Sequence, residues 1–142
     1  HWRAEARGLI AGLTAGATRA HIVRAALESI AQQTADLFDA LRADGVAPLR
    51  LRIDGGMAAN GWFCQHLADT LAMTVERPAM IETTALGAAM LAGVGAGLFG
   101  SLDEAQAMWR ADRTFTPALI GERRDAERAR WRAALAQALA GA

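Results

Sequence analysis

Residues 49–60 read Leu-Arg-Leu-Arg-Ile-Asp-Gly-Gly-Met-Ala-Ala-Asn, and this stretch decides the fold. In its first half, leucine or isoleucine alternates with arginine or aspartate, which is the two-residue period of a half-buried β-strand. The glycines Gly55 and Gly56 follow at once, and a helix-like run begins near Asn60. The stretch therefore predicts a strand, a glycine turn and a helix, a unit typical of α/β folds.

Two adjacent glycines at the carboxyl end of a strand favour a ligand site. Gly55 and Gly56 have no Cβ, so a ligand can approach the backbone closely and φ can become positive. The N-terminus of the next helix attracts electron-rich groups, and ligands of open α/β sheets bind at the carboxyl ends of the strands. From these residues alone, an ordinary strand-to-helix turn remains the alternative. We expect the Asp54 carboxylate to stabilise the turn by accepting from the backbone N–H groups just after it, rather than to act in catalysis.

Length and composition indicate one globular domain in a reducing compartment. The 142 residues are enough for a single domain with a real core, and we expect residues 1–142 to form one. The 15 basic residues, all arginine, balance 15 acidic ones, which argues against nucleic acid or an anionic membrane as a partner. The single cysteine, Cys64, excludes an intrachain disulfide framework and fits a cytoplasmic location. The chain has no signal-peptide pattern and no initiator methionine, so we expect a piece of a longer protein.

Apolar spacing and capping residues predict five helices and a second strand around the glycine turn. We expect an opening loop with a short strand, and a link near residues 115–117. The helices are expected at about 19–43, 60–71, 85–99, 101–109 and 122–139, the second strand at 73–77, and the opening loop at 1–17.

Several of these elements carry specific expectations. The uncharged segment 85–99 is too short to span a bilayer, which needs about 20 residues, so its small residues at every fourth position predict a buried, tightly packed helix. The arginines between 123 and 132 alternate with acids and predict a solvated, ion-paired face. Cys64 and His66 point in different directions on a helix, and we find no metal-ligand spacing. The apolar face of the first helix is predicted from Ile22, Ala26, Ile30, Gln33, Leu37 and Leu41.

A set of short motifs resembles the carboxyl half of the FGGY carbohydrate kinases. The Asp-Gly-Gly motif followed by asparagine is more similar to the family members that phosphorylate glycerol than to the pentulose kinases. The resemblance covers nearly the whole chain but only the last third or less of such a kinase. It rests on residues 6–13, 21–34, 54–60, 75–78, 84–89 and 101–104.

The resemblance implies a fold and a set of ligands. The fold would be the C-terminal portion of an actin-like ATPase (ribonuclease H-like) domain, an α/β unit rich in helices with a few short strands. Kinases of this family have two such domains and transfer the γ-phosphoryl group of ATP, with Mg²⁺, to a polyol hydroxyl. Carried over by position, Gly56 would meet the nucleotide through its backbone, Gly55 would allow the close approach, and Asn60 would hydrogen-bond the nucleotide. The family also suggests homo-oligomers.

The same resemblance assigns no catalytic residue and no metal ligand to this chain. We therefore expect that the 142 residues alone do not phosphorylate glycerol and bind nucleotide weakly at most. Three alternatives stay open: a kinase of another polyol or sugar in the same family, an actin-like module that serves binding or assembly, and a helical interaction domain in which the glycine turn holds nothing.

Overall fold

The computed structural model describes residues 3–140, in which helices dominate and three short strands form one sheet. The opening loop predicted at 1–17 begins in residues that lie outside this range, and the described part of it contains no strand. The helices are α1 (Arg19–Ala43), a 3-10 helix (Gly56–Ala59), α2 (Gly61–Leu71), α3 (Thr83–Gly95), α4 (Leu102–Gln106) and α5 (Gly121–Ala140), and the strands are β1 (Arg50–Arg52), β2 (Thr74–Pro78) and β3 (Ala111–Phe115).

The sheet has the order β1-β2-β3, with β2 in the middle. β1 runs parallel to β2, with Leu51 opposite Val75, and α2 makes the connection between these two strands. β3 runs antiparallel to β2, with Phe115 opposite Val75. Because β1 and β2 are parallel, their carboxyl ends lie at the same edge of the sheet.

Side-chain caps explain where the helices begin. The Asn60 side chain accepts a hydrogen bond from Phe63 N at 3.1 Å at the start of α2, and Ser101 Oγ accepts from Glu104 N at 3.2 Å at the start of α4. At α1, Thr18 N donates to His21 Nδ1 at 3.1 Å, and the helix begins at Arg19, where its start was predicted. α4 ends at Gln106, three residues before its predicted end.

The core lies where α1, α2 and the sheet meet. α2 supplies the largest share of it, and β2 and β3 contribute the fully buried Val75 and Phe115. The members of this cluster are Ala31, Ala35, Phe38, Phe63, Cys64, Leu67, Ala68, Leu71, Met73, Val75 and Phe115.

The predicted buried face of α1 is wrong. Leu37 is 59% exposed and Ile30 is 38% exposed, whereas the short side chains of Ala31 and Ala35 and the ring of Phe38 face α2. Small residues allow the two helices to approach closely, so contact with α2 selects this face rather than the face with the larger apolar groups. The larger groups are left on the outer face of α1, toward solvent.

The expected burial of the segment 85–99 is also wrong. Of its small-residue stripe, Ala85, Ala89 and Gly97 are exposed, and only Gly93 is buried, where the Phe99 ring lies against it. α3 packs mainly against α4, and although Leu86 is buried, Leu91 remains 62% exposed. An uncharged composition indicates that a helix can be buried, but it does not supply the partner that buries it.

Two expectations about the sheet need correction. Leu49, predicted to point inward, is 90% exposed, because β1 begins only at Arg50 and is an edge strand. β3 was not predicted. Three of the five residues 111–115 are polar or charged, so the segment lacks the apolar pattern of a buried strand. Its pairing with β2 is supported by the ion pair between Arg77 and Asp112, two side chains that no local pattern connects.

The face of α5 that was predicted to be solvated contains one buried arginine. The Arg128 guanidinium donates to Gln32 Oε1 at 3.0 Å, to Asp36 at 2.7 Å and to Asp39 at 2.9 Å on α1. Trp131 Nε1 donates to Asp36 at 2.7 Å. The two aspartates are therefore paired with α5 rather than simply solvated, and this network fixes the last helix on the first.

Removing the Arg128 guanidinium is expected to destabilise the chain. Arg128→Met keeps the aliphatic stem but leaves Gln32 Oε1 and Asp36 Oδ1 without their donor, so the free energy of unfolding should fall by about 2 kcal/mol. The measurement is urea denaturation followed by circular dichroism. The matched control is Arg132→Met, one turn further on, whose side chain is 65% exposed and should matter by less than about 0.5 kcal/mol. Equal losses in the two variants would contradict the assignment.

A second buried polar group, His66, makes stability depend on pH. Its ring stacks on Trp62 with centroids 5.0 Å apart, and Thr70 Oγ1 lies 3.5 Å from Nε2. Burial lowers the pKa of His66 below its usual 6.5, although Glu28 and Glu127 act in the opposite direction and Arg24 adds to the lowering. The folded chain thus holds this imidazole neutral at a pH where the unfolded chain protonates it.

Acidification below pH 6.5 is therefore expected to weaken the fold. In this range His66 binds a proton in the unfolded state but not in the folded state. The free energy of unfolding therefore falls as pH drops from 6.5 toward the lowered pKa of His66. His66→Phe keeps the stacking on Trp62 and should flatten this part of the profile. Urea midpoints measured between pH 7.5 and 5 (roughly the range in which histidine titrates) check it, and an unchanged slope in the variant would contradict it.

Candidate functional site

The candidate site lies at the edge of the sheet where the parallel strands β1 and β2 end. Residues 54–60 follow β1 and residues 79–84 follow β2, and the two segments meet there. Gly55 N donates to the Ile81 carbonyl oxygen at 2.8 Å and so joins them directly. Ligands of open α/β sheets bind at this kind of edge, beyond the carboxyl ends of adjacent parallel strands.

Gly55 has a backbone conformation that essentially only glycine adopts. Its φ is 78° and its ψ is 177°, a region from which a Cβ excludes the other residues at a cost of about 1–3 kcal/mol. Its carbonyl oxygen accepts from Ala58 N at 3.0 Å and starts the 3-10 helix. Gly55 is therefore required by the path of the chain at this turn.

Gly56 serves a different purpose, because its φ does not lie in the positive region that demands glycine. A Cβ built on Gly55 or on Gly56 would meet nothing within 4 Å, and Gly56 is exposed. No side chain of the described residues fills the corner that the two glycines leave bare. A flat ligand could therefore lie directly against the backbone at this point.

Asn60 is exposed and stands at the far end of the turn, where it caps α2. Its side-chain oxygen accepts from Phe63 N, and that bond leaves the amide N–H groups of the same side chain able to donate outward. A capping role and a ligand-binding role thus use different atoms of one residue. Of the three predicted site residues, Gly55 immediately precedes the 3-10 helix, Gly56 is its first residue and Asn60 immediately follows it.

Hydrogen bonds from α2 and β2 connect the 3-10 helix to the core. The carbonyl oxygen of the buried Ala58 accepts from Cys64 Sγ at 3.2 Å and from Arg77 Nη1 at 3.4 Å. Burial raises the pKa of the Cys64 thiol, while Arg77 and Arg113 act in the opposite direction, so the thiol stays protonated and remains a donor. These bonds hold the outer surface of the turn in one position.

The expectation that Asp54 accepts from the backbone N–H groups just after it is wrong. Its carboxylate accepts a hydrogen bond from Thr83 Oγ1 at the start of α3, and the N–H of Gly55 donates to Ile81 instead. The sequence did not predict this connection between two distant segments. The signal that could have found it is the order of strand, helix and strand, which predicts parallel strands and brings the segments after them together.

Besides the glycine turn, residues 3–140 offer an apolar groove, but no cluster of metal ligands and no helix that could cross a membrane. This range contains no cluster of three or more histidine, cysteine, aspartate or glutamate side chains that could hold a metal ion. A largely apolar groove of about 530 Å³ lies between residues 9–12, α1 and α5, and none of its lining residues belongs to the glycine turn. Within the described range, none of the helices is both long enough and apolar enough to cross a membrane.

Comparison with known proteins finds one family over most of the chain. The model for the FGGY family of carbohydrate kinases, C-terminal domain, matches residues 1–96. The glycerol kinase of Rhodospirillum centenum is 52% identical over 142 residues, which cover 100% of this chain and 28% of that protein. The glycerol kinase of Gluconobacter oxydans is 58% identical over 118 residues, which cover 82% of this chain and 23% of that protein. The chain therefore spans less than a third of the length of these relatives.

Solved structures show the same likeness. The crystal structure of Plasmodium falciparum glycerol kinase with ADP matches 97% of this chain and 28% of its own, with a TM-score of 0.83 and 37% identity. Xylulose kinase from Rhodospirillum rubrum matches 89% of this chain with a TM-score of 0.73 and 29% identity. These matches confirm the predicted fold class, an α/β portion of an actin-like, ribonuclease H-like ATPase domain.

The two glycines are expected to respond differently to the same substitution. Gly55→Ala forces a Cβ into a glycine-only conformation and should lower the free energy of unfolding by about 1–3 kcal/mol. Gly56→Ala adds its methyl group to open space at an ordinary φ and should leave stability within about 0.5 kcal/mol. Urea denaturation of the two variants measures this difference. A stable Gly55→Ala protein, or an unstable Gly56→Ala one, would contradict the described turn.

Proposed function

Because this chain belongs to the FGGY family of carbohydrate kinases, of which it carries the C-terminal domain, we propose that it is the nucleotide-binding part of an ATP-dependent glycerol kinase. The whole enzyme would transfer the γ-phosphoryl group of ATP to a hydroxyl of glycerol and release glycerol 3-phosphate and ADP. Glycerol is favoured over other polyols because the relatives that are about half identical to this chain are glycerol kinases, whereas the xylulose kinase of R. rubrum is 29% identical.

The observation that carries the proposal is the open backbone corner at Gly55 and Gly56. The corner lies at the edge where parallel strands end, and nothing occupies the space that a Cβ would fill. The similar glycerol kinase from P. falciparum has been solved with ADP, which agrees with a nucleotide as the ligand. In this proposal Gly56 meets the nucleotide through its backbone, Gly55 permits the approach, and the amide of Asn60 donates a hydrogen bond to it.

Charge indicates which end of the nucleotide faces the turn. The exposed Asp54 carboxylate stands next to Gly55, and a second negative group only a few ångströms away would be repelled. The triphosphate therefore points away from this turn, and the uncharged purine or ribose lies against it. The exposed, unfilled surface of Gly56 suits a flat purine, which needs contact area rather than a counter-charge.

The chemistry of the transfer would come from both halves of the enzyme. Phosphoryl transfer depends on positioning and on charge stabilisation, and this chain contributes the positioning of the nucleoside end. Mg²⁺ would accompany the phosphates, and since residues 3–140 offer no cluster of ligands for it, its protein ligands would be supplied by the rest of the kinase. The group that accepts the proton of the glycerol hydroxyl is likewise assigned to that remainder.

The apolar surfaces support a chain that packs against further polypeptide. Val23, Ile30 and Leu37 recur every seven residues on the outer face of α1, and all three are exposed. Exposed apolar surface of this extent is typical of regions that another domain or protein covers.

We propose that residues 1–142 form one unit within a longer kinase and that this kinase is a homo-oligomer. We also propose that it works in the cytoplasm, as its reduced buried thiol suggests.

A chimeric enzyme tests the proposed function. In the R. centenum glycerol kinase, the segment that matches this chain is replaced by residues 1–142, and glycerol-dependent ATP turnover is measured with a coupled assay. We expect activity from the chimera and none from the 142-residue chain alone. Gly56→Val in the chimera should raise the KM for ATP about tenfold or more, since 1.4 kcal/mol of lost binding is a factor of ten. The KM for glycerol should change little.

A second chimera shows whether a loss of activity comes from the junction or from residues 1–142. It receives the corresponding segment of the G. oxydans glycerol kinase at the same junction. If that control is active while the folded chimera with residues 1–142 is not, the chain does not belong to a glycerol kinase. If Gly56→Val raises the KM values for ATP and for glycerol equally, the glycine turn is not where the nucleotide binds.

A further inference from the structure

The glycine turn and the start of α3 are joined at two neighbouring points. Gly55 N donates to the Ile81 carbonyl oxygen at 2.8 Å, and Thr83 Oγ1 donates to the Asp54 carboxylate. One bond is between backbones and the other between side chains. A single bond would allow one segment to rotate about the other, whereas two bonds at neighbouring positions fix both their separation and their relative orientation.

Within the described part of the chain, the Asp54 carboxylate is hydrogen-bonded to a hydroxyl group and not paired with an arginine. Among residues 3–140 it forms no ion pair with an arginine, although arginines are frequent in this chain, and its partner is a neutral hydroxyl. Asp54 and the segment after β2 are largely exposed, so a hydrogen bond between them contributes little to the free energy of folding. Its effect is instead on geometry, since it ties α3 to the turn at the point where the backbone corner is open.

We propose that Asp54 and Thr83 are positioning residues for the nucleotide, because their hydrogen bond sets the distance between the Gly55–Gly56 turn and the first turn of α3. This inference rests on the proposed function of the turn. The segment 79–84 runs beside the turn and is joined to it at Asp54 and Gly55. In this proposal the spacing between the two segments decides whether a purine against Gly56 is contacted on one side or on both. The pair would act before the chemical step, on nucleotide affinity alone.

Loss of the bond should therefore appear in the nucleotide's KM and not in kcat. Asp54→Ala and Thr83→Val, each in the active chimera, should raise the KM for ATP about three- to tenfold, the effect of losing one ordinary hydrogen bond. kcat and the KM for glycerol should stay within about twofold, which is less than the effect of losing one such bond. Thr83→Ser keeps the hydroxyl and should restore the parental value. The double variant should be no worse than either single one, because both remove the same bond.

Matched controls and a direct structural readout complete the test. Thr114→Val, on the exposed face of β3, and Asp103→Ala, on α4, remove the same chemical groups elsewhere and should leave the KM for ATP unchanged. In the 142-residue chain itself, hydrogen exchange of the Gly55 N–H should accelerate in Thr83→Val, because the segment that carries its Ile81 acceptor becomes looser.

The outcomes separate the two proposals. An active parent chimera whose KM for ATP is the same in Asp54→Ala and Thr83→Val overturns this inference and leaves the proposed function intact. Additive effects in the double variant, or equal losses in kcat and in both KM values, would show that the residues act on folding and would also overturn it. A parent chimera with no kinase activity, beside an active G. oxydans control, removes the proposed function and this inference together.

Discussion

The parallel pairing of β1 with β2 is the constraint on which the rest of the structure depends. Only three residues of each strand pair, yet this register places the segments after both strands at one edge of the sheet. An antiparallel partner would have sent the second segment to the opposite edge. The crossing helix α2, capped by Asn60 and buried along one face, holds the two strands in that relation.

The candidate site is made mainly of backbone, and hydrogen bonds from core residues hold it in place. Gly55 gives the chain its path, Gly56 leaves the outer surface bare, and the Ala58 carbonyl oxygen is held by a thiol and a guanidinium. A surface of this kind offers contact area and few charges. It is therefore suited to the nucleoside end of a nucleotide and leaves the handling of phosphates to other parts of an enzyme.

The features that the sequence predicted correctly are those set by neighbours along the chain. The strand, the glycine turn and the helix at 50–71 follow from alternation, from paired glycines and from a capping asparagine, all within a few residues of one another. The starts of α1 and α4, predicted near residues 19 and 101, are also local, since Thr18 and Ser101 are the N-caps of these helices. Gly55 and Gly56 were chosen as site residues from this local pattern and from the family resemblance, whereas Asn60 was chosen from the resemblance, and the role of all three in a ligand site stays a prediction.

The features that were missed depend on contacts between distant segments. The buried face of α1 is chosen by α2, β3 is recognisable only beside β2, and Arg128 is buried because Asp36 lies opposite it. The link from Asp54 to Thr83 spans 29 positions and exists because two strands end together. Periodicity measures how apolar a face is, but it cannot say which neighbour will cover that face.

The uncovered outer face of α1 has a practical consequence for work with the isolated chain. Its formal net charge is zero at pH 7, so long-range repulsion between molecules is at its weakest there. With leucine, isoleucine and valine side chains bare on one helix, colloidal behaviour is then governed by short-range attraction between those faces. Buffers more alkaline than the isoelectric point restore a common negative sign to every molecule and are the natural choice for keeping concentrated samples dispersed.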